Sequence, residues 1–157
     1  MSADMIRRDL LKNVYVATVL MPSASAWAQV KLDKNPFALG IASGSPTHES
    51  LVLWTRLFDE GIFSSNLPNQ DIPVKWEVAL DSQFGNIIKS GFANAVAALA
   101  HSVHVEVTDL PANTWFHYRF SVGGHTSRVG KTRTFSAPST TYLELMKGAF
   151  ASCQHFE

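Results

Sequence analysis

Four consecutive polar residues near the end of the chain have the side chains needed for metal chemistry. They are Ser152, Cys153, Gln154 and His155. They directly follow an apolar run that ends at Ala151, and α/β proteins place ligands at the carboxyl ends of such strands. A thiolate there can bind a thiophilic metal or act as a nucleophile. Since Cys153 is the single cysteine, a buried thiol, an intermolecular disulfide and a metal ligand are the roles open to it.

The histidines elsewhere in the chain do not form a metal-ligand pattern. His101 and His104 are three residues apart in an alternating segment, so they would point to opposite faces of a strand, and one ion could not easily bind both. We therefore expect exposed or capping histidines on a strand. His48, His117 and His125 occur singly in turns or on polar faces. The glycine-rich VGGHTSRVG lacks the spacing of a phosphate loop and predicts a hairpin.

The segments that would position these residues alternate apolar and polar side chains with a period of two, as strands do. Two segments with this alternation contain Val103, Val105 and Val107, and Phe116, Tyr118 and Phe120. Similar runs predict strands at Phe37–Ala42, Leu51–Arg56, Val74–Leu80, Ile87–Gly91 and Arg128–Phe135. About seven short strands over about 100 residues, without a convincing helix between them, predict an all-β fold, an immunoglobulin-like or fibronectin III-like β-sandwich.

Several aromatic residues are candidates for the core of this sandwich. Trp54 and Trp76 lie within strand patterns, and we expect them to fill the core or to pack between the sheets. The alternation in Leu51–Arg56 leaves open which of its two faces is buried. Tyr118, or Phe116 in its place, is the candidate for a tyrosine corner.

Residues 1–28 have the pattern of a cleavable export signal. Arg7 and Arg8 precede the short apolar run Val14–Met21, and an A-x-A site ends at Ala28. The arginine pair indicates the twin-arginine export machinery as a partner. Because the run is shorter than the ~20 residues of a spanning helix, we expect removal of the signal rather than a stable membrane span, and a periplasmic or secreted protein.

Charge argues against nucleic acid as a partner. Lys plus Arg and Asp plus Glu both number 13, so the formal net charge is zero, and the sequence shows no basic stripe that could bind a phosphate backbone.

Near the end of the chain, Ser136–Thr141 has the composition of a linker, and Leu143–Ser152 after it is typical of the start of a new strand.

Four segments, in order, resemble the N-terminal part of the PhoD-like alkaline phosphatases and phosphodiesterases. They are FALGIASGSPTHESLVLWTRL, IPVKWEVALD, HSVHVEVTDLPANTWFHYRFSVGGHTSRVGKTRTFSAP and GAFASCQHFE. The resemblance covers nearly everything from Phe37 to Glu157. It implies twin-arginine export and a fibronectin-like domain ahead of a metallophosphoesterase domain, which hydrolyses phosphomonoesters and phosphodiesters with iron and calcium. It also implies that Cys153 is an iron ligand and that the family's remaining ligands lie downstream of the ASCQ strand.

We therefore expect three segments: a signal at 1–28, a β-sandwich at 36–138, and at 139–157 a linker with a C-terminal stub of an α/β metallophosphoesterase domain. One thiolate cannot assemble a phosphoesterase centre of two or more metals. We accordingly expect no catalytic residue and no stably bound iron or calcium in this chain, with phosphate esters as substrates of the full-length family. One alternative is a stand-alone periplasmic sandwich acting as a binding or accessory module. Another is docking in trans onto a catalytic half, with the apolar tail as the contact.

Overall fold

The computed structural model describes residues 31–58 and 67–138. Its strands are β1 (Ile41–Gly44), β2 (Leu51–Arg56), β3 (Ile72–Ala79), β4 (Ile87–Ala95), β5 (Ser102–Val107), β6 (Trp115–Val122), β7 (His125–Thr126) and β8 (Gly130–Arg133). A single 3₁₀ turn, Ala97–Leu99, is the helical element of these two ranges. The predicted signal segment and the predicted linker beyond residue 138 lie outside the described residues.

The strands form two antiparallel sheets. One has three strands in the order β1-β2-β5; the other has five, in the order β4-β3-β6-β7, with β8 also pairing with β6. The named strand pairs are all antiparallel. The chain crosses from one sheet to the other between β2 and β3, between β4 and β5, and between β5 and β6, which is the arrangement of a fibronectin III-like β-sandwich. The predicted fold class is therefore confirmed.

The core lies between the inner faces of the two sheets. The inner residues of β2 and β5 are Leu51, Leu53, Thr55, Val103, Val105 and Val107, and those of β6 are Phe116, Tyr118, Phe120 and Val122. Trp76 is partly buried and packs against this core, as predicted. The burial of Leu51, Leu53 and Thr55 also settles which face of β2 points inward.

The prediction that Trp54 fills the core or packs between the sheets is wrong. Trp54 lies on the half-buried outer face of β2, opposite His104 of β5. The two rings meet edge-on with their centroids 6.4 Å apart. Because side chains alternate strictly along a strand, burial of Leu53 and Thr55 forces Trp54 outward.

Two predicted strand boundaries shift by four residues, and the other boundaries shift by two residues or fewer. The first strand begins at Ile41 rather than at Phe37, because the Gly40 N–H donates to the Phe37 carbonyl at 2.9 Å and Gly40 has a φ of +80°, which closes a turn. The fourth strand continues past Gly91 to Ala95, since the alternation of side chains also continues.

The predicted hairpin in the glycine-rich segment is confirmed. Val122 of β6 pairs with His125 of β7, and the two residues between them, Gly123 and Gly124, have φ values of +57° and +84°. Positive φ at both central positions is typical of the two-residue turn that matches the twist of a hairpin. This turn holds His125 at one end of the sandwich.

Candidate functional site

The predicted metal ligand Cys153 lies outside the described residues. Within residues 31–58 and 67–138, no group of three or more His, Cys, Asp or Glu side chains is placed to hold a metal ion. Iron and calcium each need several ligands. The described part of the chain therefore does not fit the metals that the resemblance implies.

Two of the histidines have structural roles. His101 is buried just before β5, and its Nε2 lies 3.2 Å from the carbonyl oxygen of Gln70. His104 is exposed on β5, beside Trp54. The expectation of an exposed or capping histidine describes His104, whereas His101 is buried because it packs beneath the segment that leads into β3.

The other histidines lie apart from these two. The Nε2 atom of His125 is 2.9 Å from the Leu32 carbonyl oxygen, a contact that ties the start of the described chain to the β6–β7 hairpin. His48 lies 3.7 Å from the Glu49 carboxylate. His117 faces outward on β6 and is half-buried, and its Nδ1 atom has no hydrogen-bond partner among the described residues.

Glu77 is the centre of a charged cluster on the outer face of the five-stranded sheet. Its side chain is only 6% exposed, although its position on β3 alternates with the inward-facing Val78. Lys75 donates to one carboxylate oxygen at 2.5 Å and the Nε of Arg119 to the other at 2.7 Å. Burial raises the pKa of Glu77, but these hydrogen bonds and the two positive charges outweigh it and hold the pKa below its ordinary value.

A short loop beside this cluster is organised by Asp81. Its carboxylate accepts the backbone N–H groups of Gln83, Gly85 and Asn86 at 2.9, 3.1 and 2.7 Å. The bonds from Gly85 and Asn86 are the main reason that the pKa of Asp81 is lowered. The loop holds Phe84 at a φ of +59°, with the Arg119 guanidinium 3.9 Å from the ring centroid.

In the sequence, Asp81 lies in the short segment between the predicted strands Val74–Leu80 and Ile87–Gly91. The signal that could have revealed its structure is the aspartate at the start of the turn, since Asp side chains accept N–H groups of the residues that follow. The burial of Glu77 had no comparable signal, because its partner Arg119 is 42 residues away in sequence.

A shallow groove of about 370 Å³ lies on the same outer face, at the opposite end from the Asp81 loop. It is lined by Pro73, Lys75, Phe92 and the β6–β7 hairpin. Lys75 and His125 line it, but both already make the contacts described above. In the described part of the chain, the charged groups of this face thus join neighbouring strands, and their arrangement suits a supporting or binding surface.

These features define a fibronectin III-like β-sandwich domain with a charged outer face. The chain belongs to the family of PhoD-like phosphatases: the model of that family's N-terminal domain matches residues 22–136. Alkaline phosphatase D of Bacillus subtilis (strain 168) is 48% identical over 122 residues, which are 78% of this chain and 21% of that protein.

Among solved structures, one shows the same relationship. The structure of PhoD superposes with a TM-score of 0.70 at 45% identity, covering 72% of this chain and 22% of that one. A fibronectin type III domain from a human protein gives a TM-score of 0.48 at 13% identity, covering 71% of this chain and 83% of that domain. The chain thus spans about a fifth of the length of the phosphatases that it matches.

The helical content of residues 31–58 and 67–138 is one short 3₁₀ turn, and no helix in these ranges has the length and apolarity to cross a bilayer.

Proposed function

We propose that this chain is the N-terminal part of an exported PhoD-like alkaline phosphatase and that it does not itself hydrolyse phosphate esters. The observation that carries the proposal is the match to alkaline phosphatase D. The two sequences are 48% identical over 122 residues, but these residues are only 21% of that protein. In the full-length protein, the sandwich at 36–138 would precede a metallophosphoesterase domain that begins within residues 139–157. Phosphomonoesters and phosphodiesters would be the substrates of that whole protein.

Cys153 is the residue of this chain that we connect to the chemistry. By resemblance it is an iron ligand, and iron and calcium would supply the Lewis acidity and the activated water of the full-length enzyme. The described residues offer no further ligand group. The chain alone would therefore lack the charge needed to stabilise the transferred phosphoryl group.

An activity assay tests the first half of the proposal. The purified chain would be given a chromogenic aryl phosphate and a bis-aryl phosphate at alkaline pH, with iron and calcium added, beside a Cys153→Ala variant. We expect both to show the same background rate, with alkaline phosphatase D of Bacillus subtilis as the active control. A hydrolysis rate of the chain well above that of its Cys153→Ala variant would refute the proposal that this N-terminal part is inactive.

A chimera tests the second half. The chain would be joined to the downstream portion of alkaline phosphatase D that it does not cover, in the order of the aligned sequences. We expect the chimera to hydrolyse phosphate esters and Cys153→Ala in it to lower both the activity and the iron content. If the Cys153→Ala chimera still bound iron and remained active, Cys153 would not be an iron ligand, and the family membership would be unaffected.

Residues 1–28 are part of the same proposal. They would direct the folded protein through the twin-arginine machinery to the periplasm or the medium, as the Arg7–Arg8 pair and the A-x-A site suggest. The test of this export step is given in the Discussion.

A further inference from the structure

Exposed apolar side chains are concentrated at one end of the five-stranded sheet, on its outer surface. Trp115 and Phe135 are each 51% exposed, and Ile87 is 42% exposed. Trp115 lies opposite Arg133 in the β6–β8 ladder, and Phe135 follows Arg133 two residues later, on the same side of the strand. Trp115 and Phe135 are therefore diagonal neighbours, at a separation that aromatic side chains can bridge.

Ile87 extends this surface across the sheet. It pairs with Ala79 of β3, Ala79 pairs with His117 of β6, and His117 is two residues from Trp115. Paired residues share a face of a sheet, as do residues two apart on one strand. We call the outer surface that carries Ile87, Trp115 and Phe135 the Trp115 face. Apolar side chains that are neighbours on an exposed surface are typical of interaction sites.

Two cations border the indole ring of Trp115. The Lys131 ammonium lies 4.6 Å and the Arg133 guanidinium 5.5 Å from the ring centroid. Tryptophan and arginine are among the residues that contribute most to binding at protein interfaces, and carboxylates on a partner would complement the two positive charges. The Trp115 face therefore suits an apolar protein surface with acidic groups at its edge.

The chain leaves the sandwich beside this face, and hydrogen bonds fix its exit. The Phe135 N–H donates to the Thr47 carbonyl at 2.8 Å, and the Phe135 carbonyl accepts the Asn113 N–H at 2.8 Å. The preceding Thr134 is buried, and its hydroxyl donates to the Pro111 carbonyl at 2.6 Å. Because the backbone is held on both sides up to Phe135, a domain that follows the sandwich starts next to this face.

Such a domain is what the proposed function supplies. The chain covers 21% of alkaline phosphatase D and 22% of the PhoD structure, and the part that it matches is the N-terminal domain of the family. Most of the remaining length of these relatives therefore follows the sandwich. A domain joined by a short connection at the edge of the Trp115 face is held there at a high effective concentration.

We propose that the downstream domain of the full-length protein docks on the Trp115 face. The inference rests on the proposed function, which provides this domain. Docking covers Trp115 and Phe135 with apolar side chains and places carboxylates of the partner surface near Lys131 and Arg133. The sandwich then sets the orientation of the downstream domain instead of being loosely tethered to it.

Oxidation of side chains by hydroxyl radicals tests this docking directly, because an aromatic ring is oxidised more slowly when it is covered. The chimera of this chain with the downstream portion of alkaline phosphatase D would be compared with the chain alone, and mass spectrometry would locate the oxidised residues. We expect the oxidation rates of Trp115 and Phe135 to fall about fivefold in the chimera, since side chains at the centre of an interface lose contact with water.

Phe92 is the matched control in the same experiment. It is also 51% exposed, and it lies on the same outer surface at the other end of the sheet, where it pairs with Lys75. Its oxidation rate should be the same in the chimera and in the chain alone. Unchanged rates at Trp115 and Phe135, or an equal fall at Phe92, would overturn docking at the Trp115 face.

The oxidation experiment also separates this inference from the proposed function, because it requires no hydrolysis. An active chimera with unprotected Trp115 and Phe135 would overturn the docking and leave the function intact. An inactive chimera in which both residues are protected and Phe92 is not would support the docking and count against the function.

Substitutions show whether these side chains hold the two domains together. Trp115→Ser combined with Phe135→Ser should increase the radius of gyration of the chimera in X-ray scattering, whereas Phe92→Ser should leave it unchanged. Urea unfolding of the 157-residue chain with the same substitutions reports whether the sandwich itself stays folded. A folded double variant with an unchanged radius of gyration in the chimera would contradict the docking.

A second copy of the chain is the competing occupant. Sedimentation of the chain alone would be measured from low to high micromolar concentration, with oxidation of the same samples. We expect a monomer throughout, with constant oxidation rates at Trp115 and Phe135. Protection of these two residues that increases with concentration, together with dimer formation, would assign the face to a second copy and overturn the proposal.

Discussion

The indole ring of Trp76 packs directly against Gly91 on the neighbouring strand. A Cβ atom at position 91 would come within 2.8 Å of Cζ2 and 3.0 Å of Cε2 of that ring. The two residues face each other in the β3–β4 ladder, and Trp76 closes one side of the core. Glycine is therefore required at this position by the volume of the ring rather than by its backbone conformation.

Gly91→Ala should destabilise the protein by about 1–3 kcal/mol, the usual cost of overpacking, because the rigid indole has to move away from the core. Urea unfolding at pH 7 measures this difference. Gly44→Ala is the matched control, since Gly44 also lies in a strand and has nothing within 4 Å of the position of its Cβ. Equal stabilities of the two variants would show that Trp76 repacks without cost.

Glu77→Gln should destabilise the protein by about 1.5–3 kcal/mol at pH 7, since it weakens the charged hydrogen bonds to Lys75 and Arg119. Glu106→Gln, on the exposed face of β5, is the control and should change stability little. Equal losses from Glu77→Gln and Glu106→Gln would argue that the buried cluster does not stabilise the fold.

Acid should remove the contribution of Glu77. Its pKa in the folded protein is lowered from the ordinary value of 4.5. The stabilisation is therefore fully present above pH 4.5 and is lost as the pH falls through the lowered pKa. Denaturant titrations between pH 7 and pH 3 should show a smaller loss of unfolding free energy for Glu77→Gln than for the parent. Parallel curves for the two proteins would contradict this assignment.

Tyr118→Phe should cost at most about 1 kcal/mol, because Ser43 of the other sheet is placed to donate a hydrogen bond to the buried Tyr118 hydroxyl. This contact joins the two sheets, whereas in a tyrosine corner the hydroxyl bonds to nearby upstream backbone. Ser43→Ala should cost a similar amount, and the double variant should lose little more than either single variant. Additive losses would show that the two hydroxyl groups act independently.

Alkaline pH should destabilise the parent through the same tyrosine. Burial raises the pKa of Tyr118 above its ordinary value of 10.0, and the bond to Ser43 opposes this only in part. The stabilisation is present below pH 10 and is lost as the pH rises through the raised pKa. The loss between pH 9 and pH 11 should be smaller in Tyr118→Phe and should persist in Ser43→Ala. Identical alkaline slopes for parent and Tyr118→Phe would exclude this tyrosine as the cause.

Replacing Arg7 and Arg8 together by lysine should abolish export, because the twin-arginine machinery recognises the arginine pair. The measurement is the amount of protein in the periplasm and medium of a bacterial host, with mass spectrometry to locate the new N-terminus at Gln29. Lys12→Arg keeps the charge and is the control. Undiminished export of the double variant would point to another route.

Several features of this protein were determined by local sequence. The alternation of Val103, Val105 and Val107 was enough to predict a strand with one buried face, because side chains alternate with a period of two whatever the rest of the chain does. The adjacent glycines of the hairpin predicted its turn, because few other residues adopt positive φ at two successive positions. The resemblance of four separate segments predicted the family, and the match to residues 22–136 confirms it.

Other features depended on contacts between distant segments. Only the packing of the five-stranded sheet against the sheet of β2 decided that Thr55 is buried and Trp54 is not, since either face of an isolated strand could turn inward. Only the register of β3 against β6 brought Arg119 to Glu77 and turned a surface position into a buried ion pair. Sequence periodicity predicts which side chains share a face of a strand, whereas the tertiary structure decides which faces pack against each other and which remain exposed.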